Sequence, residues 1–339
     1  MRTLEERISM KHGAGGRAMR ELIERVFIAG AVPQPGVVGL AEMDDGAVIP
    51  LGDGFLVLTT DSHVVKPLFF PGGDIGRLSV CGTINDLAMM GATEPLALTC
   101  ACIVEEGFLL ADLERVQRSI DLACDEVGCR ILTGDTKVMG KGELDGLVLN
   151  TTGVALATQV VRDCGLRPGD KLIITGTVGD HGFAVLAARH DLKLEGDLRS
   201  DVAPLNGLVR AALRSGGVTA MKDPTRGGVA SAVHEMAAKS RVGVVLDERA
   251  VPLRNEVRAA AELLGIDPLN VANEGKALIG VRAKDADALL AALREHPLGR
   301  NAALIGFCTG DHPGQVIHDT GVGRRLLAEP EGEMLPRIC

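Results

Sequence analysis

Tryptophan and tyrosine are absent from this chain, and phenylalanine occurs only 7 times in 339 residues. A groove that stacks bases therefore has almost no rings to use. Basic charge is not in excess either: 45 acidic residues face 36 basic ones, a net charge of −9, so no nucleic-acid partner is expected. No apolar run approaches the ~18 residues that a membrane helix requires. The best stretch, Pro95 to Val104, is too short and is interrupted by Thr99. Met1 to Lys11 alternates charged and apolar residues, without the apolar core of a signal peptide, so neither secretion nor a membrane is expected. The eight cysteines, at 81, 100, 102, 124, 129, 164, 308 and 339, form no CxxC pair, and a chain of this length builds a core without disulfides. A reducing, cytoplasmic setting follows as the expectation. The eight histidines supply neither HExxH nor a zinc spacing, and His234-Glu235 has no second histidine at the required distance. Both GxxxxGK followed by Ser or Thr and a well-placed GxGxxG are missing, so any nucleotide is bound outside the P-loop and dinucleotide-fold classes.

What the chain does have is glycine, 43 residues, nearly twice the usual share of about 7%. With 46% hydrophobic and 24% charged residues it has the composition of a folded protein long enough for two domains. Apolar β-type runs lie at Phe55 to Thr60, Leu96 to Val104, Leu147 to Leu156, Lys171 to Thr175, Val242 to Leu246, Ala277 to Val281 and Ala302 to Phe307. Helical stripes occupy Arg17 to Ile28, Ile75 to Met90, Ala111 to Val127, Val202 to Leu213, Thr225 to Ala238 and Ala283 to Leu293. This mixture predicts an αβ protein and leaves α/β and α+β both open. The Gly- and Pro-containing segment Arg162 to Asp170 marks the domain boundary, giving 1–161 and 162–329, with a tail at 330–339.

Candidate chemistry resides in acids and glycines. Asp44 and Asp45 precede Gly46, Asp61 follows a strand, Asp86 sits in Asn85-Asp86, and Asp135 lies in Gly134-Asp135-Thr136-Lys137 after an apolar strand. Each alone also suits a helix cap or turn; together they are the oxygen donors that a hard cation such as Mg²⁺ shares with phosphates and water. Glycine loops recur at His12 to Gly16, Pro71 to Gly73, Gly179-Asp180-His181-Gly182 and Asp223 to Gly228, where free N–H groups at a helix start attract phosphate. The chain ends Pro336-Arg337-Ile338-Cys339. Ten residues from Pro330 span at most ~33 Å, enough to carry a terminal thiol into a site on the same or a neighbouring subunit.

These stretches resemble the hydrogenase maturation factor HypE family, within the superfamily of aminoimidazole ribonucleotide synthetase, selenophosphate synthetase and thiamin-monophosphate kinase. The resemblance runs nearly end to end. It is carried by His12 to Gly16, Asp44 to Ala47, Thr59 to Gly76, Val80 to Ala92, Thr133 to Val138, Asp223 to Ala230, Ala272 to Lys276 and Pro336-Arg337-Ile338-Cys339. The chain departs from the family pattern at Leu326 to Pro330, where an Asp-Met-Pro is missing.

The resemblance implies an α+β, two-domain fold. The N-terminal domain would bind ATP and form a barrel-like dimer core, a C-terminal αβ domain would follow, and a mobile tail would end in a reactive cysteine. It implies that Cys339 receives a carbamoyl group from the carbamoyltransferase HypF and that ATP drives its dehydration to a thiocyanate. The cyanide would then pass through a HypC–HypD iron-carrying complex to [NiFe]-hydrogenase iron. By motif position Cys339, Lys137 and Glu274 are catalytic. Gly13, Gly15, Gly16, Asn85, Gly134, Thr136, Thr225, Arg226 and Gly227 fall to the nucleotide, and Asp45, Asp61, Asp86, Asp135 and Asp223 to Mg²⁺, with Asp44 an alternative to Asp45. Another ATP-using superfamily activity, or a non-catalytic maturation scaffold, is the competing expectation.

Overall fold

A computed structural model describes residues 7–192, 196–330 and 338. The N-terminal half runs α1 (Arg17–Ile23), β1 (Ala47–Leu51), β2 (Gly54–His63), β3 (Phe69–Phe70), β4 (Gly73–Asp74) and α2 (Ile75–Met89). It continues β5 (Glu94–Glu105), α3 (Leu110–Val127), β6 (Ile131–Met139) and β7 (Leu147–Ala157). Five of these strands form a sheet ordered β1-β2-β7-β5-β6, and β5 with β6 is its parallel pair. Within one chain the sheet is open, with β1 and β6 at its edges.

Helix α2 organises this half. Asp74 caps it, its carboxylate accepting the amides of Gly76 at 2.8 Å and Arg77 at 3.0 Å. Ile75, Leu78, Val80, Cys81, Ile84 and Leu87 are buried around its whole circumference, as expected of a helix enclosed by protein on every side. On the sheet side, Gly153 of β7 lets the helix in: a Cβ there would meet Leu87 and Thr83 at 2.8 Å. This close approach brings Asp86 of α2 over β2, where Thr59 donates to it at 3.0 Å.

The C-terminal half runs β8 (Lys171–Ile174), α4 (Asp180–Arg189), α5 (Asn206–Ser215), β9 (Val218–Lys222), α6 (Gly228–Ser240) and β10 (Gly243–Asp247). Then come α7 (Asn255–Leu264), β11 (Leu278–Val281), α8 (Ala286–Glu295), β12 (Ala303–Thr309), β13 (Val316–Asp319) and β14 (Arg324–Leu326). The mixed sheet is ordered β14-β13-β10-β12-β8-β11-β9. Alternate residues serve its two faces. Ile173 and Ile279 pack with Leu208 and Val209 of α5 and Leu289 and Leu293 of α8, while Leu172, Ile174 and Leu278 pack with Val229, Val233 and Met236 of α6. Burial on both faces explains why these strands read as continuous apolar runs.

The elements expected from the sequence are present with shifted ends, and several were not anticipated. Strand β6 carries Gly134-Asp135-Thr136-Lys137 within it, so Asp135 stands mid-strand instead of following a strand, and Asp61 likewise lies inside β2. The polar, threonine-rich run hid β6. Helices α4 and α7 and strands β1, β9, β13 and β14 were also unforeseen.

Asn85 fastens the two halves. Its amide nitrogen donates to the carbonyls of Ala203 at 3.1 Å and Glu274 at 3.2 Å, and its oxygen accepts the amide of Leu205 at 2.7 Å. Replacing Asn85 by Ala orphans these buried backbone groups and is expected to cost about 2–3 kcal/mol in urea unfolding. A loss below about 0.5 kcal/mol would show that the halves are held elsewhere.

Candidate active site

A cleft of about 810 Å³ opens where the halves meet. Its walls take Gly15, Gly16, Asp45, Asp61 and Asp86 from the N-terminal half and Lys222, Asp223, Thr225, Arg226, Glu235 and Glu274 from the C-terminal half. The two glycine loops meet because Gly15, at φ 78°, lies so close to Arg226 that a Cβ would stand 2.7 Å from its carbonyl oxygen. The His12 to Gly16 loop and the Asp223 to Gly228 loop thereby share one wall.

The acids divide into well compensated and less well compensated groups. Asp44 is committed to structure: Arg162 Nε reaches it at 2.6 Å and the Asp163 amide at 3.2 Å, and against the cost of burial the side chains of Asp163 and Arg162 hold its carboxyl below the usual range. Asp45 meets Lys222 Nζ at 2.6 Å. That ammonium also lies 3.3 Å from Glu235 and 3.7 Å from Asp163, and Lys239 reaches Asp163 at 2.6 Å. Burial disfavours a charged lysine, but the surrounding carboxylates outweigh it and raise Lys222 well above its ordinary value.

Asp86, Asp223 and Glu274 are less well compensated: Lys222 acts on Asp223 and Arg226 on Glu274, and neither outweighs burial and the neighbouring acids. Burial, then Asp223, Asp61 and Asp45, push Asp86 well up. Burial followed by Asp45 drives Asp223 to about 8, and burial with Asp223 and Asp61 raises Glu274 well above the carboxylate range. Glu274 Oε1 is buried without a hydrogen-bond partner. Asp61 is partly exposed, 3.5 Å from Nε2 of a buried His63 that burial keeps neutral. The site is thus a pocket of mutually repelling carboxylates that calls for positive charge.

Several residues expected at the site are placed elsewhere. Asn85 does not line the cleft, because its amide is committed to Ala203, Leu205 and Glu274. Gly13 ends a short 3₁₀ turn, Met10–Gly13, and Gly227 caps α6; neither is in the wall. Gly134, Asp135, Thr136 and Lys137 are on β6 at the far edge of the first sheet. Asp135 aligns with Ala101, Asn150 and Ser62, three strand spacings or about 14 Å across. That row is on the face opposite Asp61, and Lys137 Nζ binds Asp135 at 2.9 Å in solvent. One chain's fold therefore does not bring Asp135 and Lys137 to Asp45, Asp61, Asp86 and Asp223. Cys339 lies outside the described residues, but Ile338 before it is only 6% exposed and belongs to the core.

Lys222, Lys239, Glu235 and Asp163 were not foreseen as part of the site. The signal that could have found Lys222 is its place directly before Asp223 at the end of an apolar strand. The seven cysteines among the described residues are all free, and burial raises every one of their thiols, Cys81 and Cys308 to about 12. Among the described residues no helix is long and apolar enough to cross a membrane.

The comparisons with known proteins agree on one family. Residues 43–157 match the model of the AIR synthase related protein N-terminal domain, and 167–319 match that of its C-terminal domain. Carbamoyl dehydratase HypE of Rhizobium leguminosarum bv. viciae is 48% identical over 98% of this chain and 95% of its own. The solved structure of a HypE–HypF complex superposes at a TM-score of 0.85 and 41% identity, covering 91% of this chain and 99% of that one. HypE in complex with ATP follows at 0.81 and 41%, covering 98% and 100%. On likeness of this extent, with both domain models matched, the chain belongs to the HypE family of AIR synthase related proteins.

Proposed function

We propose that the protein is an ATP-dependent carbamoyl dehydratase that converts an S-carbamoyl group on its own Cys339 into a thiocyanate, the source of a cyanide ligand for [NiFe]-hydrogenase iron. The observation that carries this reading is the seating of Ile338, the residue joined to Cys339, in the core, its carbonyl bonded to His181, whose neighbour Gly182 bonds Ala272 two residues before Glu274. A chain end buried there supports delivery of the thiol's cargo to the carboxylate cleft. The likeness to a HypE bound to ATP supports ATP as co-substrate, and the cleft volume suits it. HypF, with which a HypE of known structure is complexed, is the proposed carbamoyl donor, and HypC–HypD the acceptor of the cyanide. In this reading residues 1–161 bind ATP and dimerise, 162–329 close the cleft, 330–339 carry the cargo, and the setting is cytoplasmic.

The chemistry follows from the leaving group. An amide oxygen departs poorly, so the carbonyl oxygen of S–C(=O)–NH₂ first takes the γ-phosphoryl group of ATP, releasing ADP and one nitrogen proton. The C–O bond then breaks, phosphate leaves with the oxygen, and the remaining nitrogen proton is removed as the C≡N bond forms. Glu274 is the proposed base: it lines the cleft, and its buried Oε1 has no hydrogen-bond partner and can take a proton there. The loops bearing Gly15, Gly16, Thr225 and Arg226 are assigned to the phosphates, and Gly13 and Gly227 belong to the same two loops, while Asn85 holds the Glu274 carbonyl.

Mg²⁺ fits the donor set, which is carboxylate oxygen with an orphaned Glu274 atom beside it. Among the described residues no three His, Cys, Asp or Glu side chains converge as a complete cage. That suits an ion which takes one or two carboxylates and completes its shell with phosphate and water. Asp45, Asp61, Asp86 and Asp223 are the proposed donors, one or two binding the ion directly and the others through its water, and bound there it would neutralise the triphosphate. Asp44, closed off by Arg162, is not assigned to it.

Asp135 and Lys137 are assigned to the neighbouring subunit's cleft in a homodimer, together with Gly134 and Thr136. Their place on an exposed edge supports this: Leu132 and Val138 of the same strand are 71% and 69% exposed. Two sheets meeting along such edges would close the barrel-like core that one chain leaves open.

Intact mass tests the activity: with HypF, a carbamoyl donor and Mg-ATP, Cys339 is expected to gain a carbamoyl group and then lose one water. Retention of the carbamoyl mass, with ATP unconsumed, would end the proposal. Shared sites make a second prediction. Lys137→Ala and Glu274→Gln are each expected to be inactive alone, yet equal amounts unfolded and refolded together should recover about a quarter of the parent rate, half the dimers being mixed with one intact site each. No recovery would put Lys137 in its own chain's site or in none. The carboxylates predict a pH dependence. Because Asp223 is raised in the fold, to about 8, its contribution to stability is present below pH ~4 and is lost as pH rises through ~8. The protein free of nucleotide and metal should unfold at lower urea at pH 8.5 than at pH 6, and Asp223→Asn should flatten that difference.

A further inference from the structure

The loop Gly179-Asp180-His181-Gly182 opens α4 and has no part in the chemistry above. Its bonds run in two directions. Toward the Glu274 loop, the Gly179 amide donates to Asn273 Oδ1 at 2.7 Å and the Gly182 amide to the Ala272 carbonyl at 3.1 Å. Toward the chain end, His181 Nε2 bonds the carbonyl oxygen of Ile338. A second tie runs through adjacent residues: Ser200 Oγ lies 2.8 Å from His181 Nδ1, and Asp201 accepts the Glu274 amide at 3.1 Å and Lys276 Nζ at 2.9 Å.

The tautomer of His181 follows from its partners. The ring is fully buried, edge-on to Phe70 at 5.4 Å, and burial lowers its proton affinity, so it is neutral and has a single N–H. The Ile338 carbonyl can only accept, which puts that N–H on Nε2. Nδ1 must then accept, and Ser200 can supply the proton because its oxygen already takes the Val202 amide at 3.1 Å. A buried imidazole with both nitrogens so matched is oriented toward the chain end, and the same Ser200-Asp201 pair holds the proposed base.

We propose that His181, set by Ser200, is a latch for the end of the chain: it holds Ile338 in a fixed register to Glu274, so that the cargo on the next residue meets the base. This rests on the dehydratase reading. His181 is a positioning residue that touches neither ATP nor the reacting atoms.

The test uses the full chain. His181→Phe keeps the ring and removes the N–H, His181→Gln restores a donor, and Ser200→Ala removes the orienting hydroxyl without touching the tail. Iodoacetamide labelling of Cys339, followed by mass, reads the latch directly, and the raised thiols elsewhere serve as slow internal references. In His181→Phe, Cys339 should label about tenfold faster and single-turnover dehydration of the carbamoylated protein should slow about tenfold, with ATP affinity unchanged; Gln should recover much of both. Ser200→Ala should move both rates in the same directions and stands in if His181→Phe does not fold. A parent that dehydrates, beside folded variants that label and react at the parent's rates, would overturn the latch. A parent that never dehydrates would remove the function instead, and the labelling rates would still decide whether His181 holds the tail.

Discussion

Incompletely compensated negative charge between the two halves is the constraint on which the rest of the structure depends. Asp86, Asp223 and Glu274 are buried with Asp61 at their edge, and their charged forms repel one another more than any nearby cation relieves. Such an arrangement costs stability in every state that lacks a ligand, and the surrounding framework must hold it against collapse. The framework consists of bonds between the halves: Asn85 to Ala203, Leu205 and Glu274, Arg162 to Asp44, and Lys222 to Asp45. Lys222 has a double character. It compensates Asp45 through Oδ1, and in the proposed site a metal drawn to that carboxylate would meet this ammonium there.

The same charge logic separates the cleft acids from the acid on β6. Asp135 is exposed and paired with Lys137, and its carboxyl is held below the ordinary range by that ammonium and the Thr136 amide. It needs no burial and no cation from the cleft. An ion pair on an unpaired sheet edge among exposed leucine and valine suits a contact between copies, where desolvation would sharpen it. The open sheet and the distant Lys137 thus have one explanation in the proposed dimer.

Much of this was legible in the sequence, unevenly. Apolar runs gave most strands of the second sheet because burial on both faces leaves them uninterrupted, whereas β6 was hidden by Thr133, Asp135, Thr136 and Lys137, which face solvent on an edge. The cleft acids Asp45, Asp61, Asp86 and Asp223 were found from their motifs, and their mutual proximity appears only in three dimensions. Asn85 was read with Asp86 as one motif, but on a helix adjacent residues point about 100° apart, and the asparagine looks to the backbone of the other half while the aspartate looks into the cleft. Lys222 stands directly before Asp223, but that place marks it only weakly, since a lysine ending a strand is ordinary until three acids from separate elements surround it. The Gly179 to Gly182 loop stood out as glycine-rich, yet its part in holding Ile338 depends on a contact 157 residues along the chain.

In the proposed reaction a substrate carried on Cys339 of the same chain removes the entropy of bringing two molecules together, but the carrier must also leave to be loaded. The strength of the seat has to lie between these demands. Burying one isoleucine side chain is worth about 1.5–3 kcal/mol and one neutral hydrogen bond about 0.5–1.5 kcal/mol. Ordering the residues that lead to them opposes this at about 1–2 kcal/mol each. A seat built from many contacts would hold the thiol where a carbamoyl donor cannot reach it, and one with no directional contact would leave its register to Glu274 unset. In the proposed latch Ile338 and His181 answer both demands: the buried isoleucine supplies residence and the imidazole supplies direction, and a partner that loads the thiol would draw the isoleucine out.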